Sequence, residues 1–325
     1  MGVLALPLLV LLAQAEPPPS NVPDVVVSPS RRPIVVKPVA LESVDVVAAE
    51  PRYVAPTRRD RIGRIWAPAT VNGKGPFRLV LATGASHSAL TPHLAQQLGL
   101  KVDPADTVML RGATGSAAVP MVPVETLEVG DLLLEPRQMP IIPDALGGAD
   151  GVLGMDGLAN KRIQIEFRHD RITIMRSKNQ RAAGGFETIP VKFLHGRLLV
   201  VDAIMGGVPV KAVIDTGGQS TLGNLSLRTA LAERRRRQEQ EGTLDKIIGS
   251  TLDMQVGTRL ETPALALGSI RVRNPAMTFA DFAIFEHWKM TKEPAMLIGM
   301  DVLGLLDTLI IDYRRKELQV KLRRS

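Results

Sequence analysis

From residue 63 onward the chain is written in short apolar or alternating runs, each broken after a few positions by Gly, Asn, Asp or Pro. That is the pattern of short β-strands joined by tight turns. Residues 65–71 lead to Asn72-Gly73-Lys74-Gly75, and residues 77–81 return, which predicts a hairpin with Asn-Gly supplying the positive φ angles of a tight turn. The returning strand delivers Ala82-Thr83-Gly84. Thr91-Pro92 then opens a short helix, with Thr at the cap and Pro at the first helical position; Leu94, Leu98 and Leu100 give it an apolar side and Gly99 ends it. A second hairpin over residues 108–124 has a small-residue tip, residues 127–134 add a strand pair, and residues 151–158 close the unit. Residues 162–167 and 171–175 alternate about the turn Arg168-His169-Asp170.

The same programme then runs again. Residues 198–204 and 208–214 form a hairpin about Met205-Gly206-Gly207 and deliver Asp215-Thr216-Gly217; a helix follows at 225–231, further strands at 270–285, and a terminal hairpin at 309–322. The closing run Gly154-Met155-Asp156 recurs as Gly299-Met300-Asp301. Position 215 follows position 82 by 133 residues (215 − 82), and Gly299 follows Gly154 by 145 (299 − 154). This is an internal duplication, with residues 234–242 as the expected site of the extra chain in the second copy.

Ahead of the repeat lie two stretches of other texture. Residues 3–12 are a nearly continuous apolar run followed by Ala13-Gln14-Ala15, which predicts a secretory signal peptide over residues 1–15, because ten apolar residues are too few to span a bilayer. Residues 16–61 are rich in Pro and Val without helical period and are expected to form an extended linker, adding one edge strand to the first lobe. The remaining division is a first lobe over 62–178, a polar linker over 179–185 and a second lobe over 186–325.

Composition narrows the function classes. At 325 residues there is chain enough for two cores, and with 3% aromatics these must be built mainly from aliphatic side chains. The absence of cysteine excludes disulfides, thiolate metal sites and a cysteine nucleophile. The net charge of +7 is spread along the chain apart from Arg234–Arg237, with no interleaving of basic and aromatic residues, so nucleic acid is not an expected partner. The histidines His87, His93, His169, His195 and His287 show no metal-ligand spacing. No metal and no cofactor is expected.

An apolar strand running into Asp-Thr-Gly, a following helix, and a downstream Gly-Met-Asp motif, all present twice, carry the chemistry. Together with the run Ala67-Pro68 to Phe77 before the first loop, they resemble the paired active-site loops of the retropepsin-like aspartic peptidases over about residues 65–322. The resemblance implies a mostly β fold of two homologous retropepsin-like β-barrel lobes with a cleft between them. In that family two carboxylates, one ionised and one neutral, hold the water that attacks a peptide bond and share a proton. Asp215 matches one of them. Ala82 stands where the other would be. Thr83, Gly84, Thr216 and Gly217 support the loops, Gly by giving the substrate backbone room and Thr by hydrogen-bonding across to the partner loop.

A methyl group cannot take a proton, so the division into acid and base fails within one chain, and the Asp215 pKa is expected to fall back toward an ordinary aspartate value. Residues 108–121 and 247–262 sit where substrate-covering flaps would lie, with Gly112, Gly115, Gly249 and Gly257 at flexible hairpin tips, although an ordinary surface hairpin predicts the same residues. Asp156 and Asp301 read as structural; Glu166 and Asp312 read as polar residues at strand edges or turns. The functional expectation is an aspartic-endopeptidase-like protein of the bacterial envelope, periplasmic or secreted, acting on a peptide or protein, inactive or crippled as a monomer. The alternatives are a non-catalytic peptide-binding pseudopeptidase and an active peptidase that pairs Asp215 between two chains.

Overall fold

A computed structural model describes residues 64–323 apart from 131, 145, 170, 195–197 and 236–241, and ahead of them the strands Pro7–Leu8, Val10–Leu12 and Val44–Val47. The chain forms two lobes of curled, mostly antiparallel sheet, each built around one central hairpin. In the first lobe β1 (Trp66–Val71) and β2 (Lys74–Leu81) pair about Asn72 and Gly73, whose φ angles are both positive, as their side chains permit. Helix α1 (Pro92–Leu98) is capped by Thr91, whose hydroxyl accepts from the Leu94 amide, and is ended by Gly99 in the left-handed conformation. The hairpin of β3 (Asp103–Gly112) and β4 (Ser116–Val124) is the first candidate flap, flap 1 for short. Then β5 (Gly151–Leu153) returns to lie parallel to the end of β2.

The second lobe repeats this order after the hairpin of β6 (Lys161–Glu166) and β7 (Arg171–Arg176). β8 (Leu198–Met205) pairs with β9 (Val208–Ile214). Along β9, Val208, Val210 and Ala212 are buried and Pro209 and Lys211 exposed; alternation stops at Val213 and Ile214, where the strand enters the molecule and both faces are covered. Helix α2 (Leu225–Arg235) follows, then flap 2, formed by β10 (Thr243–Gly249) and β11 (Met254–Glu261), then β12 (Ala276–Phe279). Residues 270–285 are not all strand, however: α3 (Ala283–His287) is a short helix. β13 (Ala295–Ile298) lies parallel to β9, and α4 (Met300–Leu303) leads into β14 (Leu306–Asp312) and β15 (Glu317–Leu322).

The lobes are joined by a shared sheet in the order β7, β6, β14, β15 and residues 187–190, in which β6 of one lobe pairs antiparallel with β14 of the other. Ile163, Ile165, Leu309, Ile311, Leu318 and Val320 on these strands belong to one buried apolar cluster that spans both lobes. The extra length of the second copy is not confined to residues 234–242. Gly249 follows its flap counterpart Gly112 by 137 residues (249 − 112) against 145 at the closing glycine, so much of the surplus lies after flap 2, in the stretch that forms α3. The Pro-rich segment does supply an edge strand, but to the second lobe: Val44–Val47 lies parallel to residues 270–273. Of the expected signal peptide, Pro7–Leu8 lies parallel to the end of β3, and Val10–Leu12 antiparallel to the end of β10; the rest of residues 1–15 falls outside the described residues.

Candidate active site

The two glycine-flanked loops are placed by the same bonds. The Ala82 amide donates to the Leu153 carbonyl at 3.0 Å, and the Asp215 amide to the Ile298 carbonyl at 3.0 Å, so each loop leaves its strand pinned to the neighbouring parallel strand. Behind each loop a glycine presses close. A Cβ on Gly299 would lie 2.7 Å from the Ser220 backbone, and one on Gly154 would overlap the backbone of His87. Met155 and Met300 donate to the carbonyls of Ala85 and Gly218, both at 2.8 Å. Asp156 accepts from the Ser88 amide and hydroxyl at 2.9 and 2.8 Å, and Asp301 accepts from those of Thr221 at 2.9 and 2.7 Å. These carboxylates therefore brace the chain behind the loops. Reasoning from residues alone overlooked Ser88 and Thr221, although they recur at the same 133-residue spacing (221 − 88).

The loops meet through their threonines. Thr83 Oγ1 donates to the Ile214 carbonyl at 2.6 Å and accepts from the Thr216 amide at 3.1 Å. Thr216 Oγ1 donates to the Leu81 carbonyl at 2.7 Å and accepts from the Thr83 amide at 3.2 Å. Each hydroxyl thus satisfies a buried donor and a buried acceptor of the other loop, which fixes the two at contact distance.

Between them Asp215, 2% exposed, is the one carboxylate of the paired loops. Its Oδ1 accepts from the Gly217 amide at 2.9 Å and from the Gly84 amide at 3.1 Å, so it draws one donor from its own loop and one from the opposite loop. Gly84 must be glycine here, because a Cβ would sit 2.6 Å from the Asp215 carboxyl carbon. Ala82 is fully buried in an apolar cluster with Val80, Leu110 and Val152.

The expected return of Asp215 to an ordinary pKa is not what this environment produces. Burial raises it; the amides of Gly217, Gly84 and Gly218, and then the Arg64 guanidinium, oppose that rise without cancelling it. Arg64, fully buried just ahead of β1, was not among the residues singled out above. Its signal is present: Gly63-Arg64 recurs as Gly196-Arg197 at the same 133-residue spacing (197 − 64).

A raised folded-state pKa means that stability is lost as pH rises from the unfolded value through the folded one. Replacing Asp215 by Asn keeps an Oδ1 acceptor for both glycine amides and removes the buried charge. We expect D215N to raise Tm near pH 7 and to raise it less as the pH falls toward 3, where protonation removes the buried charge from the parent as well. Calorimetry of the two proteins across that range checks this; an equal shift at both pH values would exclude an ionisation effect.

The flap tips meet each other. Thr114 Oγ1 donates to the Asp253 carbonyl at 2.8 Å, a Cβ on Gly112 would lie 2.8 Å from Ser250 Oγ, and Gly115 and Gly249 face Asp253 and Thr114 more closely still. Gly257 is not at a tip: it lies within β11, against Thr278 and Phe279 of β12. Asp312 is a turn residue but not at a sheet edge: it ends β14, pairs on both sides and accepts from the Arg315 amide at 3.1 Å across the turn into β15. It is buried in the shared sheet, where it accepts from Arg162 and Ser177. His87 is half-buried on the first loop, and Glu166 pairs with Arg171 across the β6–β7 hairpin. No helix among the described residues is long and apolar enough to cross a membrane.

Comparison with known proteins agrees with this geometry. A search of curated proteins returned no match. The family model of aspartyl proteases matches twice, over residues 67–156 and 201–302, each time from a central hairpin to a closing Gly-Met-Asp run, and the two matches cover more than half of the chain. The chain belongs to the aspartyl protease family, as a tandem, two-lobed member of its retropepsin-like kind.

Proposed function

We propose that this protein is an aspartic-peptidase-like protein of the bacterial envelope whose cleft, in a single chain, grips an extended peptide and cuts it poorly or not at all. One observation carries the reading. The two loops are assembled for a carboxylate pair, yet Ala82 fills one position and the lone Asp215 accepts the glycine amides of both loops. Peptide hydrolysis by water needs one group to take a proton from the water and another to give one to the carbonyl oxygen, and a methyl group does neither.

Binding does not need that chemistry. An extended peptide can be held by main-chain hydrogen bonds to strand edges, and the ends of both flaps already pair with extended stretches of this chain, Pro7–Leu8 and Val10–Leu12. Pairing Asp215 between two chains is disfavoured, because the threonine bonds that would join the partner's loop are made within the chain. The N-terminal apolar run supports export.

Size-exclusion chromatography followed by digestion of a denatured protein at acid pH, with and without a pepstatin-type inhibitor, tests the proposal. A monomer that leaves the substrate intact is the expected result. A monomer that digests it, and stops doing so as D215N, would overturn the reading.

A further inference from the structure

The two flaps are not held alike. The tip-to-tip bond from Thr114 Oγ1 to the Asp253 carbonyl is shared by both. Flap 1 has a second attachment, to α3 of the opposite lobe. Arg111, next to the last residue of β3, donates from Nη1 to Nδ1 of His287 at 2.6 Å. The Ala113 carbonyl at the tip accepts from the Ile284 amide at 3.3 Å, and its methyl group is 2% exposed in a cluster with Ile247, Phe282, Ile284, Phe285 and Trp288.

The seat is itself firmly fixed. Phe285 stacks edge-on to Trp288 at 5.9 Å, the Trp288 and Met290 amides close the turn onto Ile284 and Phe285, and Asn224 ahead of α2 donates to the Met290 carbonyl at 2.7 Å. The corresponding stretch of the first lobe, residues 141–150, is shorter and forms no helix among its described residues. The latch therefore comes from the part of the second lobe that the duplication does not share.

We propose that α3 is a latch for flap 1, so that the cleft opens unequally: flap 2, which Gln255 ties to the Asp281 carbonyl within its own lobe at 2.7 Å, reaches across the cleft only through the tip contact, whereas flap 1 moves only once Arg111 and Ala113 leave α3 of the opposite lobe. A charge-assisted hydrogen bond, a backbone bond and a buried methyl group must break together for flap 1 to move, which places its opening well above that of flap 2 in free energy.

Hydrogen exchange of the full chain without ligand reads this directly, whether or not the cleft cuts peptides. In the parent protein, amides around residues 112–116 and the Ile284 amide are expected to exchange at least about tenfold more slowly than those around 250–253. Arg111→Met, and independently His287→Leu, should speed exchange of flap 1 and of Ile284 about tenfold, leave flap 2 unchanged, and lower global stability by no more than the matching ~1.4 kcal/mol. Thr114→Val should speed both flaps. Equal exchange at the two flaps of the parent would overturn the latch. So would a latch variant that speeds both flaps alike, or neither.

Discussion

Aspartate in place of Ala82 is expected to turn this protein into an acid-active peptidase, with kcat/KM at least ~10²–10⁴ above the parent. The backbone is already disposed for it. The Ala82 and Asp215 amides are pinned at the same 3.0 Å to Leu153 and Ile298, so a carboxylate at 82 would project from a loop built like that of Asp215. The Gly84 amide stands two residues after position 82, as Gly217 does after Asp215, and it is at present borrowed by Asp215 at 3.1 Å. Returned to a carboxylate of its own loop, it would restore equal hydrogen bonding on the two sides. Burial already favours the neutral form of Asp215, and a second carboxylate at contact distance makes double ionisation costlier still. The pair would then hold one proton over a wide acidic range, as the acid–base division requires. Rates on a quenched peptide between about pH 3 and 6 measure the gain. Asn at 82 has the shape without the proton chemistry and should give none. A parent protein as fast as A82D would sink the assignment of Ala82 as the missing acid.

The loops were legible in the chain because their determinants are local and doubled. Asn72-Gly73, Thr91-Pro92 and the glycines at 99, 154 and 299 each serve a nearby backbone need, and the second copy repeats the first at nearly fixed spacing. What could not be read was non-local or depended on burial. Alternation along residues 162–167 and the terminal hairpin at 309–322 predict strands without saying that one pairs with the other; Arg162 meets Asp312 only because two distant hairpins share a sheet. α3 has no polar cap at Phe282 and is rich in residues that favour strands, so tertiary packing of Ile284 and Phe285 decides its form. The Asp215 pKa was misjudged because the lost neighbour was weighed and the dry surroundings were not.

Removing the Asp312 carboxylate should be the most damaging single change to stability among the polar residues described here, at ~3–5 kcal/mol for D312A. Asp312 is 1% exposed in β14, and accepts from Arg162 Nη1 at 3.1 Å, Ser177 Oγ at 2.8 Å and the Arg315 amide at 3.1 Å. Arg162 belongs to β6 of the first lobe, so this pair crosses the seam between the lobes, and its Nη2 reaches Gln319 Oε1 on β15 at 2.7 Å. Truncation to Ala leaves the Arg162 guanidinium largely enclosed without its counter-charge and takes the acceptor from the Ser177 hydroxyl proton. The penalty comes mainly from that stranded charge, so the double variant R162M/D312L should recover most of it, whereas two independent losses would add. Urea midpoints of R162M, D312L and the double variant R162M/D312L close the cycle, and a loss below about 1 kcal/mol in D312A would show that the seam does not depend on this pair. The consequence reaches the site, since Thr83 and Thr216 can exchange bonds only while the shared sheet keeps the two loops facing each other.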